Sequence, residues 1–576
     1  MTQRFLAGVL AAILIGATGP AQPSWQTIAP ARGSHAMVVS EQHYATQAGV
    51  DILRRGGNAV DAAIAVAYAL AVVDPCCGNI GGGGFMLVRM HNGLERFIDF
   101  REKAPLRANP HMFLDTSGNV IPHASTKGYL AVGVPGTVMG MEAARAEFGT
   151  LPRTVLMAPA IRLAQNGYRV QQGDAAIFSG AAAEGYSGAF RFGNQPNVRD
   201  IFMSDGHLPQ AGDVLRQPQL AATLRLIAKS GTREFYQGSI AQAIVKASYE
   251  GGGMLAMDDF KNYAVEEQTP IHCSYRGYQI SSAPPPSSGG VTLCEILNTV
   301  SAYPLHTWGW HSAQSVHYVI EAERRAYADR NTYLGDPAFV KNPVTDLLSD
   351  AYAAKLRDSI QPDKATPSVN VHPGLGPLAH ENDDTTHFSI VDKWGNAVAV
   401  TYTINDWFGA GVIAGDTGFF LNDEMDDFTS KPGVPNMFGL VQGVRNDIKS
   451  GKRPLSSMTP VIVTKDGKLF MVTGSPGGSR IITIVLSTIE NVVDYGMNVQ
   501  QAVNAPRLHM QWLPDEIQME PGALDQPAMD QLQAMGYTFK GIPSWGSAQA
   551  VLIDPKTKTL YGGTDRRHPA GLAAGY

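Results

Sequence analysis

Asp383-Asp384-Thr385-Thr386-His387-Phe388-Ser389-Ile390-Val391 carries an acidic loop into a strand. From His387 the residues alternate: His387, Ser389 and Val391 take one face, Phe388 and Ile390 the other, which is the period of two that a pleated strand imposes. Thr385 stands at the junction. A cut just before it would leave one residue holding both a hydroxyl nucleophile and an α-amine to act as its base. A Thr pair that merely opens a β-hairpin is the commoner meaning of such residues, so the decision lies with the rest of the chain.

Downstream the pattern is rich in hairpins. Phe388 to Val391 and Ala397 to Thr403 flank a turn, Pro460 to Thr464 and Lys468 to Thr473 flank Lys465-Asp466-Gly467, and Ala550 to Ile553 precedes Thr559 to Tyr561. Between the last two lies an apolar helix, Arg480 to Val493, ending near Gly496. Upstream, residues 357 to 384 are polar, bear Pro and Gly and lack periodicity, the character of an exposed loop where a chain tolerates a break. Earlier still, the pattern predicts a helix from Tyr44 to Arg55, Asn58 as a cap, and an Ala-rich helix from Ala59 to Val73 that must be buried nearly all round. Four glycines, Gly81 to Gly84, lead into a hairpin closed by His91-Asn92-Gly93. Residues 130 to 260 read as mainly helical. A helix from Ala313 to Asp329 carries Glu321, Glu323, Arg324 and Arg325, which the spacing places on a solvated face. Antiparallel hairpins mixed with buried helices predict an α+β fold, a four-layer αββα sandwich.

The chain has 576 residues, 44% hydrophobic and 17% charged, which suits a globular protein. A net charge of -6 offers no electrostatic footprint for nucleic acid. Residues 1 to 21 read as a secretory signal peptide: Arg4, the apolar run Phe5 to Ile15, then small residues to Ala21. That run is too short to span a bilayer, and no later run is long enough. The expectation is a periplasmic or secreted protein with no membrane span after signal removal. Four cysteines are too few for a disulfide scaffold. Cys76 and Cys77 are adjacent, a poor geometry for pairing with each other; whether Cys273 pairs with Cys294 stays open. None has zinc-site spacing.

Four stretches are able to carry chemistry. Ser475-Pro476-Gly477-Gly478-Ser479-Arg480 opens a buried helix, where backbone N–H groups face an anion or a developing oxyanion, unless it is only a tight strand–helix turn. Arg453 to Met458 offers the hydroxyls of Ser456 and Ser457 to a carboxylate, or is an ordinary Ser-rich turn. Asn422-Asp423-Glu424-Met425-Asp426-Asp427 can pair with an ammonium or is equally a solvated turn; its spacing does not fit an EF-hand calcium loop. Arg101, at a strand end, suits a bidentate grip on a carboxylate. Together these describe a site for an α-amino acid whose side-chain carbonyl is attacked.

With these motifs in place the chain resembles the γ-glutamyltransferases, members of the N-terminal nucleophile hydrolases. The matching stretches are Thr385 to Ser389, Asp392 to Thr403 with Asn405, Leu421 to Asp427, Lys452 to Met458, Thr473 to Arg480, Gly81 to Met86 and Asp99 to Glu102. The resemblance implies a cut after Asp384 into a large subunit, 22–384, and a small subunit, 385–576, which together form a heterodimer with one intertwined fold. It makes Thr385 the nucleophile of both cleavage and transfer, with Thr403 supporting its amine. Gly477 and Gly478 supply the oxyanion hole. Arg101, Ser456 and Ser457 take the substrate's α-carboxylate, while Asn405, Glu424 and Asp427 take its α-ammonium. Glutathione and other γ-glutamyl compounds are the implied donors, amino acids or dipeptides the acceptors, with neither cofactor nor metal.

Pro435 to Gly451 resembles a lid loop, with Phe438 where a tyrosine often bonds toward the position of Asn405. Acylases that cleave glutaryl-cephalosporins share the fold and the cut, and are the alternative enzyme reading; an intact Asn405, Glu424 and Asp427 favours γ-glutamyl substrates. A secreted amino-acid-binding protein would need no cut at all.

Overall fold

The alternation at Thr386–Val391 is answered by pairing on both sides. This strand runs antiparallel to Ala397–Thr403 on one edge and to Met37–Ser40 on the other. It is therefore central, and a central strand must bury both faces. Phe388 and Ile390 join the core under the helices; Val391 joins the core of the facing sheet.

The computed structural model describes residues 24–183, 195–203, 206–374, 385–432, 434, 437 and 443–576. The proposed signal peptide, Asp383-Asp384 and Phe438 lie outside the described residues. Two seven-stranded antiparallel sheets form the centre. One has the order Leu572–Gly575, Met37–Ser40, Thr386–Val391, Ala397–Thr403, Gly83–Arg89, Glu95–Asp99, Glu266–Gln268. The other has the order Ala31–Gly33, Leu560–Thr564, Gln549–Ile553, Lys468–Gly474, Val461–Lys465, Tyr278–Ser282, Ile271–Tyr275. The hairpins expected from sequence are all present. Several partners were not foreseen, including Met37–Ser40, the pair Ile271–Tyr275 and Tyr278–Ser282, and the closing strand Leu572–Gly575.

The helices His43–Arg54 and Ala59–Val73 cover the first sheet, packing on Val38, Val398 and Val400. Ala59–Val73 is buried along its whole length, as its composition demands, and Asn58 caps it in a reciprocal box with Asp61. Gly289–Val300 and Ile481–Val493 cover the second sheet. The result is the αββα sandwich.

The long helix Ala313–Tyr333 corrects one expectation. Glu321, Glu323, Arg324 and Arg325 are 0%, 3%, 1% and 5% exposed, so the charged face is buried rather than solvated. Its cover comes from residues nearly two hundred positions on: Met510, Ile517, Ala528, Leu532 and Tyr537 pack on Ala313, Val316 and Ile320. Glu321, Arg324 and Arg325 satisfy one another, while burial raises the Glu323 carboxyl pKa well above its ordinary range. Arg324 and Arg325 both pair with Glu321, Tyr537 donates to Glu321 Oε1 at 3.1 Å, and Glu323 Oε2 accepts from the Met510 N–H at 2.8 Å. Periodicity locates a polar stripe but not what lands on it.

The cysteines correct another. The sulfurs of Cys76 and Cys77 are bonded to each other despite their adjacency, and Cys273 is bonded to Cys294.

Removing one member of a buried ion cluster strands the others. Glu321→Ala is expected to lower stability by about 3–5 kcal/mol in denaturant unfolding. Glu516→Ala, which breaks the exposed pair with Lys540, is expected to cost under about 1 kcal/mol. Equal losses would mean that the cluster is not held as described.

Candidate active site

Thr385 sits one residue before the central strand and is buried at 7% exposure. The ladder pairs Thr386 with Tyr402; continued by one residue, that register sets Thr385 opposite Thr403. Side chains alternate, so Thr385 shares its face with His387 and Ser389, toward the second sheet. His387 is buried between the sheets. Ser389 Oγ donates to the Gln549 carbonyl at 3.0 Å, which leaves it to accept from His387 Nε2, so Nδ1 accepts from the Thr401 hydroxyl at 2.8 Å. Burial lowers the His387 pKa to about 3, so the ring is neutral and rigidly held beneath the nucleophile.

Across the sandwich the strand Lys468–Gly474 ends at the glycine loop. Gly477 has φ +132, a conformation that L side chains rarely adopt, and an added Cβ would lie 2.8 Å from Ile484 Cδ1. Gly478 begins the short turn that leads into Ile481–Val493. The chain thus turns its backbone, not a side chain, toward the nucleophile. Thr385 and Gly477 line one cavity of about 390 Å³, together with Glu41, Cys77, Trp407, Arg480 and Trp545.

The residues expected from sequence to bind an amino acid lie in a second, closed cluster. Arg101, just past the strand Glu95–Asp99, is 1% exposed and forms ion pairs with both Glu424 and Asp427, with Glu102 at 3.6 Å. Burial opposes the guanidinium charge, but Glu424, Asp427 and Glu102 outweigh it and hold the Arg101 pKa above its ordinary value. Burial also raises the carboxyl pKa values of Glu424 and Asp427, with Arg101 opposing, and brings Glu102 to about 7.

A run of contacts joins this cluster to the strand Ala397–Thr403, next to the one that Thr385 precedes. The Asn405 N–H donates to Thr403 Oγ1 at 2.8 Å, and its Nδ2 donates to the Asp423 carbonyl at 3.1 Å, next to Glu424. Asn405 has φ +73, which asparagine tolerates better than most residues. Gly82, from the four-glycine run, packs so closely on the Thr403 carbonyl that a Cβ would overlap it.

Ser456 and Ser457 follow Pro454 and Leu455, whose carbonyls accept from Arg101 at 3.3 and 3.4 Å. Ser457 Oγ accepts from Arg330 Nη2 at 2.8 Å, and Ser456 Oγ accepts from the Met458 N–H at 3.1 Å. Sequence reading missed Arg330. It is buried on Ala313–Tyr333, its Nε donates to Ser288 at 2.8 Å, and burial lowers its pKa to about 9. The Pro-rich loop before Gly289–Val300 locks the serines from the other side: Ser288 N–H donates to the Ser456 carbonyl at 2.7 Å, and Ser456 N–H to the Pro286 carbonyl at 2.8 Å. A lone Arg in a helical pattern gives no hint of such a partner.

Two further acids went unnoticed in the sequence. Glu41 lines the cavity and accepts from Thr386 Oγ1 at 2.5 Å. Burial, then Asp74, raises its pKa well above the carboxylate range. Burial, then Asp174, raises Asp74 to about 7. Among the described residues one group, Asp74, Cys76 and Cys77, brings three metal-ligating atoms within 4.8 Å of one another, and the bond between the two sulfurs already occupies that pair.

A strand-borne threonine opposite a glycine loop, inside an αββα sandwich, defines the class of N-terminal nucleophile hydrolases. The chain is 29% identical to a cephalosporin acylase from Bacillus halodurans whose crystal structure it matches with a TM-score of 0.85, over 98% of this chain and 99% of that one. The chain belongs to the gamma-glutamyltranspeptidase family, matching it over residues 45–575. It is 52% identical over 556 residues to a glutathione hydrolase proenzyme of Pseudomonas sp. strain A14, covering 95% of each chain. It is 48% identical over 550 residues to the proenzyme of the same description from Escherichia coli K12, covering 95% of this chain and 93% of that one.

The buried acids predict a stability slope. Asp74 binds a proton more tightly folded than unfolded, so its contribution is fully present below about pH 4, the ordinary Asp value, and is lost as pH rises toward about 7. Asp74→Asn is expected to flatten the fall in unfolding free energy between those limits, measured by denaturation at several pH values. An unchanged slope would assign that proton uptake elsewhere.

Proposed function

We propose that the protein is a γ-glutamyltransferase and glutathione hydrolase, cut between Asp384 and Thr385, and acting outside the cytoplasm. The carrying observation is the buried cluster of Arg101 with Glu424 and Asp427, linked through Asn405 to Thr403 on the strand paired with Thr386–Val391. Both signs of charge are held where water does not screen them, which suits a ligand bearing both. On binding, an α-carboxylate takes the place of the acids against Arg101, Ser456 and Ser457. The α-ammonium takes the place of Arg101 against Glu424, Asp427 and Asn405. Charge stays balanced before and after. A glutaryl group has no ammonium and would leave the two acids uncompensated, which favours the γ-glutamyl reading over the acylase one.

The freed amine of Thr385, with an unperturbed pKa of roughly 7.7–8.0, takes the hydroxyl proton as Oγ attacks the γ-carbonyl. The backbone N–H groups of Gly477 and Gly478 receive the oxyanion. The leaving amine departs with that proton, and a γ-glutamyl ester remains on Thr385. Water then gives glutamate, while an amino acid or dipeptide gives a new γ-glutamyl amide. The leaving group's place is the cavity beyond Thr385. Arg480 lines it, its guanidinium 5.5 Å over the Trp545 ring and its Nε donating to Gln518 Oε1 at 2.8 Å, a pose suited to a peptide carboxylate. The proenzyme naming of the relatives supports the cut.

A denaturing gel with N-terminal sequencing is expected to give two bands, one starting at Thr385. Thr385→Ala is expected to stay as one chain without activity; efficient processing of that variant would refute a shared nucleophile. Release from a γ-glutamyl anilide is expected to exceed release from its des-amino glutaryl analogue, and the reverse order would favour the acylase.

Arg480→Gln separates substrates by their leaving groups. Losing a charge-assisted hydrogen bond of about 1.5–3 kcal/mol is expected to lower kcat/KM for glutathione by about 10–100-fold. The γ-glutamyl anilide, which has no carboxylate on its leaving group, should change only a few-fold. Parallel losses would remove Arg480 from the leaving-group site.

A further inference from the structure

The wall of the nucleophile's cavity holds a chemistry that acyl transfer does not use. Cys77 lines that cavity with Thr385 and Gly477, and its sulfur is bonded to that of Cys76. Cys76 lies behind it at 2% exposure. The segment is tied down around the pair. Cys77 N–H and Gly78 N–H donate to the Asp74 carbonyl at 3.1 and 2.9 Å, and Phe408 N–H donates to the Cys76 carbonyl at 2.9 Å. The same cavity is wide, about 390 Å³, room enough for a small peptide thiol.

We propose that Cys76 and Cys77 form a thiol–disulfide exchange site on the wall of this cavity, and that the site takes small peptide thiols of the glutathione class. The geometry sets the order of events. A thiolate entering the cavity meets Cys77 Sγ first and forms a mixed disulfide there, while the bond to Cys76 breaks and its electron pair leaves on Cys76 Sγ. That sulfur lies 3.1 Å from Asp74 Oδ1. Asp74, whose pKa burial raises to about 7, is placed to hand its proton to the departing thiolate. The balance is RSH plus the Cys76–Cys77 disulfide giving Cys77–S–SR plus Cys76–SH. A second thiol converts the mixed disulfide into RSSR and a dithiol. The thiol itself supplies the two electrons. The choice of glutathione as the natural thiol rests on the γ-glutamyl reading; the exchange site does not.

The second disulfide serves as an internal standard. Cys273 is on the strand Ile271–Tyr275 and Cys294 on the helix Gly289–Val300, in the core of the other sheet, and neither lines the cavity that Cys77 lines. The full-length, processed protein would first be oxidised with diamide. It would then be treated with glutathione or with cysteinylglycine, quenched in acid, alkylated and mapped by peptide mass. The expected result is glutathionyl or alkyl label at positions 76 and 77 appearing at least tenfold faster than at 273 and 294. Glutathionylated protein is expected to lose at least tenfold in γ-glutamyl turnover and to regain it with dithiothreitol. A Cys76→Ser, Cys77→Ser double variant, compared with its own untreated turnover, is expected to be indifferent to both treatments. Label at 273 and 294 first, or none at 76 and 77, overturns the proposal. Exchange without any γ-glutamyl turnover would support the site and refute the functional reading; turnover with no exchange would do the opposite.

Discussion

The antiparallel pairing of Thr386–Val391 between Met37–Ser40 and Ala397–Thr403 is the constraint on which the site depends. A threonine at a freshly made chain end would ordinarily fray, because terminal residues lack partners. Here Thr386 and His387 are laddered to Tyr402 and Thr401, the second edge is paired from Phe388 onward, and the whole strand is buried, so Thr385 has little freedom before or after a cut. His387 and Ser389 continue the same rigidity inward through hydrogen bonds to Thr401 and Gln549. Catalytic groups must be held to a fraction of an ångström, and a doubly paired strand beneath a facing sheet does this without any loop having to close.

The second constraint is electrostatic. Placing Arg101, Glu424, Asp427 and Glu102 together in the interior carries a large desolvation penalty, visible in the raised pKa values of the three carboxyls. Such a cluster is a poor way to gain stability compared with apolar packing. Under the proposed function the cluster is preorganised for a zwitterionic ligand. Arg330 extends the logic, since it spends its hydrogen bonds on Ser288 and Ser457 and so fixes a hydroxyl beside the cluster.

Much of this was legible in the chain. The period-two stretches at Phe388 and Ala397, the Asn-Gly turn at 92–93 and the uniformly apolar Ala59–Val73 each report local physics, and each element is where its pattern says. The motifs at Gly477, Asn422 and Arg453 were visible as stretches able to bind charge. What failed was everything decided by distant cover. Glu321 to Arg325 looked solvated because nothing nearby in sequence reveals that Met510 and Tyr537 will close over the same helix. Arg330, Glu41 and Asp74 were passed over for the same reason: a buried charge is recognisable only with its partners. The short strand Met37–Ser40, four residues flanking the nucleophile's own strand, is too brief for periodicity to identify.

The order of strands also bears on what a cut at Thr385 can do. In the first sheet, Met37–Ser40, from before the cut, lies between Leu572–Gly575 and Thr386–Val391, from after it, and Ala397–Thr403, also from after it, pairs with Gly83–Arg89, which continues into Glu95–Asp99 and Glu266–Gln268. In the second, Leu560–Thr564, Gln549–Ile553, Lys468–Gly474 and Val461–Lys465 lie between Ala31–Gly33 and Tyr278–Ser282. Neither half owns a complete sheet. Separating them would expose strand edges and both faces of the sandwich, surfaces that water satisfies poorly and that invite aggregation. The active site divides in the same way, with Arg101 before the cut and Thr385, Glu424, Asp427, Ser456 and Gly477 after it. The proposed cleavage would therefore release an amine without releasing a subunit, and the proposed heterodimer would be held by the interactions that folded the single chain.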